Sequence, residues 1–122
     1  MSEELQLKNL SVYHQRIEII QATAEQIIKD FTPFFTGDET IRFSGNAETA
    51  YPELKNQILP IVTKMMDLNF EKFLSLLYRI DVSEKKVKEI SLEHPDNFEV
   101  KISELIIERE LKKVLIRKFY KG

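Results

Sequence analysis

Apolar residues recur at helical spacing along most of the chain. Leu10, Tyr13, Ile17, Ile20, Ala24, Ile27 and Phe31 stand three and four apart without interruption, which predicts one helix of about six turns. Thr23 with Gln26 could be read as a capping box that splits this segment, but the unbroken stripe outranks so short a motif. Asn9 or Ser11 is the expected start. Thr32-Pro33 is the expected stop, because a residue before proline resists the helical conformation. A second stripe, Tyr51, Leu54, Ile58, Ile61 and Met65, follows Pro52 in a first turn where a missing N–H costs nothing. Pro60 falls inside that stripe and predicts a kink or a split. Asp67 or Asn69 should cap a third helix carrying Phe70, Phe73, Leu77 and Ile80, and Ser83 a short fourth helix through Ile90. After the turn His94-Pro95-Asp96-Asn97, a final helix should begin between Phe98 and Ser103 and run to about Tyr120. Val100, Ile107, Leu111 and Val114 form its main stripe, widened by Leu105, Ile106, Leu115 and Ile116. So broad an apolar arc predicts either a central helix or a contact with a second copy of the chain.

Between these segments, residues 36–50 are the least helical. Gly37-Asp38 and Gly45-Asn46 are turn signals, and Thr40-Ile41-Arg42-Phe43 alternates like a short extended piece. The expectation is a mainly α, four- to five-helix bundle or irregular helical domain over residues 1–122, with one long loop at 36–50 that is either packed or functional.

Composition narrows the classes. With 43% hydrophobic and 31% charged residues in 122, the balance suits one globular domain. Three glycines and four prolines are too few turn formers for an all-β fold. The absence of cysteine removes disulfides, thiolate ligands and a cysteine nucleophile together, and favours a reducing compartment. No apolar run approaches the roughly 20 residues of a membrane span, and Met1-Ser2-Glu3-Glu4 is unlike a signal peptide, so a cytoplasmic protein with no membrane role is expected.

Candidate chemistry is sparse. His14 with Glu18 one turn later could supply two metal ligands, but a site needs three or four. Ser11 and Ser91 stand where a Glu-x-x-His di-metal motif would need glutamate before His14 and His94. His94 before Pro95 reads as a turn residue. No serine sits in a Gly-x-Ser-x-Gly or Ser-x-x-Lys context, and three glycines draw no phosphate cradle. The expectation is therefore no catalytic residue, no metal and no cofactor. Arg109, Lys112, Lys113, Arg117 and Lys118, interleaved with aromatics, could line a nucleic-acid face on the last helix. Against that stand Glu104, Glu108 and Glu110 on the same helix, a net charge of −2, and the helix dipole, which alone favours cations in a last turn. Large apolar residues are in surplus instead, at the Phe31–Phe35 end, at Met65-Met66, in the Phe70 to Tyr78 segment and on the final helix, and Phe34 and Phe35 beyond Pro33 are expected to remain partly exposed. The leading expectation is a non-catalytic interaction or scaffolding module, with a protein partner or itself as a homodimer. Nucleic acid is the alternative.

The segment Leu76-Leu77-Tyr78-Arg79-Ile80-Asp81-Val82-Ser83-Glu84, with Glu104-Leu105-Ile106-Ile107-Glu108-Arg109-Glu110, resembles small bacterial helical proteins of no assigned activity. The resemblance covers the C-terminal part and implies a bacterial cytosolic protein without implying a mechanism.

Overall fold

The computed structural model describes residues 16–35 and 37–119. Among them lie five α-helices and no strand: α1 (Ile17–Phe31), α2 (Ala50–Leu68), α3 (Phe70–Ile80), α4 (Glu84–Glu93) and α5 (Phe98–Phe119). The mainly helical expectation holds. No helix of the described residues is long and apolar enough to cross a membrane.

α5 is the central element and packs against all four other helices. Its buried face joins Ile102, Ile106, Ile107, Leu111, Val114 and Leu115 to the faces of α1 (Ile27, Phe31), α2 (Leu54, Ile58, Val62) and α3 (Phe73, Leu76, Ile80). α4 stands apart: none of its residues is fully buried, and Val87 and Ile90 alone lean on the core. Its placement rests on the ends. Ser83 caps it by accepting the Lys86 N–H, and Asp81 closes α3 in the left-handed region at φ 73°.

Several expectations need correction. The first helix does not run unbroken from Leu10: Arg16 is extended and α1 begins at Ile17, while Asn9 and Ser11 lie outside the described residues. Ile17, the first stripe residue of α1, is 42% exposed, and burial begins at Ile19 and Ile20; Leu10 and Tyr13 lie outside the described residues. Thr23 caps nothing; it lies mid-helix and its hydroxyl donates to the Ile19 carbonyl at 2.8 Å. Pro60 does not split α2, which runs through it from Ala50 to Leu68 with the proline on the exposed side of the helix. Phe70, assigned to a core stripe, is half exposed, and Leu76 takes its place inside.

The segment before α2 is a packed loop. Ile41 is buried and Phe43 leans on the core. Residues 40–43 form no strand; the Gln57 side chain instead accepts from Arg42 N (2.7 Å) and donates to Arg42 O (2.6 Å), as a neighbouring strand would. Glu53 accepts from Ser44 N, Ser44 Oγ and Thr49 Oγ1. Gly45, at φ 95°, supplies the left-handed turn between them.

Candidate functional site

The charged residues of α5 come first, because the sequence offers them as a binding face. Arg109, Lys113 and Arg117 recur every fourth residue and so share one side of the helix. That side runs along the edge of the seam with α1 and α3, with Arg109 and Lys113 half-buried and Arg117 exposed. Arg109 donates to the Asp81 carbonyl (2.9 Å) and carboxylate (2.7 Å) at the end of α3. Lys113 donates to Asp30 Oδ2 at 2.9 Å, and Arg117 to Gln26 Oε1 at 2.7 Å, both on α1. These three cations tie helices together. Lys112 and Lys118, off this row, make no ion pair among the described residues.

Asp30 is the centre of the seam. It is buried, and it also accepts from Gln26 Nε2 (3.1 Å) and from Arg79 Nε of α3 (3.2 Å). Burial pushes its pKa up, but hydrogen bonding with Glu110, Lys113 and Gln26 outweighs that and holds it below the usual carboxylate value. Beside it Glu110 has no solvent exposure, and the Lys113 ammonium stops 3.9 Å from Oε1. Burial pushes Glu110 up to about 9, and hydrogen bonding to Asp30 and the Asp30 charge add to the effect. That interaction falls short of full hydrogen-bond geometry, since neither Glu110 oxygen reaches a partner by distance and angle. At neutral pH Glu110 is an uncharged acid beside an ionised one. The cluster spans three helices and satisfies Asp30, while the Glu110 oxygens stay without a hydrogen-bond partner. Sequence reading missed it, although Gln26, Asp30, Ser103 and Glu110 fall in register with the apolar stripes of their helices, which places polar groups at core positions.

Phe34 and Phe35 are half-buried, partly exposed as the sequence suggests, and lean on the core. Phe34 edges a recess of about 210 Å³ with Ile61, Met65 and Leu68. The larger apolar surface lies on α3. Seven of its eleven residues are apolar, spanning about 200° of the helix circumference at 3.6 residues per turn. Phe73, Leu76, Leu77 and Ile80 fill the buried half. Phe70, Leu74 and Tyr78, each four residues on from the last, form the outward half and are 53%, 45% and 88% exposed. The stripe is anchored from beneath, for the Phe70 ring lies 5.6 Å from that of Phe73 in a tilted pair. Beside it, between α3 and the loosely seated α4, runs a groove of about 630 Å³ lined by Leu74, Leu77, Tyr78, Val82 and Val87, with Glu84 and Lys88 on its α4 wall. The missed signal here was a second i, i+4, i+8 stripe alongside the core one.

Among the described residues no group of three or more His, Cys, Asp or Glu is placed to hold a metal ion. His94 is half-buried in the turn after α4, and His14 lies outside the described residues. Comparison of the chain with protein-family models, with curated protein sequences and with solved structures finds no match.

Proposed function

We propose that the protein is a non-catalytic protein-interaction module that presents the outward face of α3, with the α3–α4 groove beside it, to a protein partner in a bacterial cytosol. The observation that carries this reading is the Phe70–Leu74–Tyr78 stripe. An aromatic-rich apolar row left in water on a helix whose other face is fully packed has the composition of an interface centre. The groove supplies concavity, and the loosely seated α4 can adjust its wall.

The nucleic-acid alternative loses ground for a specific reason. Three of its five candidate cations, Arg109, Lys113 and Arg117, are already hydrogen-bonded to Asp81, Asp30 and Gln26, which leaves Lys112 and Lys118 as the ones not tied to another helix.

The test is affinity capture from nuclease-treated extract with tagged wild-type chain and with a Phe70→Ser/Tyr78→Ser variant. Both substituted side chains lie on the outward face, so the fold should survive, as circular dichroism would verify. A protein held stoichiometrically by wild type and lost by the variant supports the reading. Equal capture by both chains would sink it, as would recovery of nucleic acid alone from extract that has not been nuclease-treated.

A further inference from the structure

We propose that the partner of this face is a second copy of the chain, docked antiparallel through α3 about a two-fold axis at Leu74. The inference rests on the reading of the α3 face as a contact surface and adds what covers it.

The stripe reads the same in both directions: aromatic, aliphatic, aromatic at four-residue spacing. A two-fold contact places a patch on its own copy, so it demands a self-complementary patch. With Leu74 on the axis, Leu74 meets Leu74, and Phe70 of each copy meets Tyr78 of the other, ring against ring. A parallel two-fold pairing would instead set Tyr78 at the level of Tyr78 and Glu71 at the level of Glu71.

The charges agree with the same arrangement. Glu71 follows Phe70 and borders the stripe, while Lys88 lines the groove together with Tyr78. The rotation that brings Phe70 of one copy to Tyr78 of the other puts Glu71 and the partner copy's Lys88 at the same end of the contact, and symmetry makes the pair twice. Neither residue has an ion-pair partner among the described residues. Like charges are not forced together, which is the usual obstacle to self-association.

Size explains why the groove takes part. One face of an 11-residue helix, about 16 Å long at 1.5 Å per residue, supplies only part of the roughly 800 Å² per partner that a stable interface buries. Seating each α3 between the α3 and α4 of its partner adds Val82 and Val87 to the contact. The exposed Leu92 lies two turns beyond Glu84 on α4 and extends the same wall. The expected outcome is a reversible dimer dissociating in the micromolar range, about what a modest interface supports.

The chain has no cysteine of its own, so single-cysteine variants report the geometry without background. Under mild oxidation Leu74→Cys should form a disulfide-linked dimer at least tenfold faster than Lys85→Cys on the exposed side of α4, because only across the axis do two copies of one residue come within bonding reach. A mixture of Phe70→Cys and Tyr78→Cys should cross-link to the heterodimer in preference to either homodimer. Leu74→Asp, which sets two carboxylates on the axis, should weaken association roughly 100-fold. Lys88→Glu and Glu71→Lys should each weaken it, and the two together in one chain should restore it. Light scattering that finds only monomer at millimolar concentration overturns the proposal. A dimer that cross-links no faster at position 74 than at 85 overturns it equally. If the chain is monomeric and Phe70→Ser/Tyr78→Ser still abolishes capture of another protein, the self-contact falls while the interaction reading stands.

Discussion

Lys113 donates to Asp30 at 2.9 Å across 83 residues of sequence, and this bond joins the central helix α5 to α1 in a seam that also holds Gln26 and Arg79. Removing the acceptor strands three donors at once. Asp30→Ala should cost about 2–4 kcal/mol, the range for breaking a buried charged network by deleting one partner. Lys113→Met keeps the aliphatic stem and leaves Asp30 with Arg79 and Gln26, so it should cost about 1 kcal/mol. Urea unfolding of the two variants checks the ranking.

Glu110 and Asp30 give opposite pH dependences. Glu110 has a folded pKa of about 9, raised from 4.5, so between those values the folded chain keeps a proton that the unfolded chain has lost. Its contribution is present below pH 4.5 and declines as pH rises through 9, with a slope of at most about 1.4 kcal/mol per pH unit for one proton. Asp30, lowered from 3.8, contributes above that value and loses its contribution as pH falls below it. Stability from this pair is therefore greatest near pH 4–5. Glu110→Gln should flatten the alkaline limb between pH 5 and 9 and leave the acid limb in place, as thermal melts across that range would reveal.

Glu53 holds the loop before α2 through Ser44 and Thr49, and the Ser44 hydrogen bonds keep its pKa below the usual value. The clamp is present above pH 4.5 and weakens as pH falls through the lowered pKa. Glu53→Ala should hasten proteolytic nicking between residues 37 and 47 while the melting temperature changes little. Unchanged nicking would mean that Gln57, bridging Arg42, is enough to hold the segment.

Asp81 sits at φ 73° after α3, where the Val82 N–H closes on Leu77 O at 2.9 Å, and Arg109 grips its carboxylate. Asp81→Gly relieves the backbone but loses the ion pair, so it should stay within about 1 kcal/mol of wild type. Asp81→Val suffers both losses and should cost about 1–2 kcal/mol. Chemical denaturation of the two variants distinguishes backbone strain from side-chain contact.

The helices and most of the caps were legible because apolar period and capping residues are local signals: Asn69 and Ser83 accept N–H groups where the sequence places caps. Two things were not. The start of α1 at Ile17 was one, because the extended backbone of Arg16 interrupts a stripe whose spacing carries no sign of it. The direction of the basic row on α5 depends on Asp30, Gln26 and Asp81, distant in sequence and contributed by α1 and the end of α3. The apolar excess was visible, in the Phe70 to Tyr78 segment among others, but Phe70 was assigned to the core stripe, and the period did not mark Phe70, Leu74 and Tyr78 as the row left most exposed. Helical period finds both stripes of α3 and cannot say which one the rest of the chain covers.

Sedimentation velocity of the wild-type chain from micromolar to millimolar concentration, at about 0.1 and 1 M salt, tests most directly whether the α3 face is a protein contact. The expected result is a concentration-dependent dimer that persists at high salt, since its centre is apolar, and that is lost in Phe70→Ser/Tyr78→Ser. A dimer that dissolves in salt, or one that the double substitution leaves intact, would contradict it.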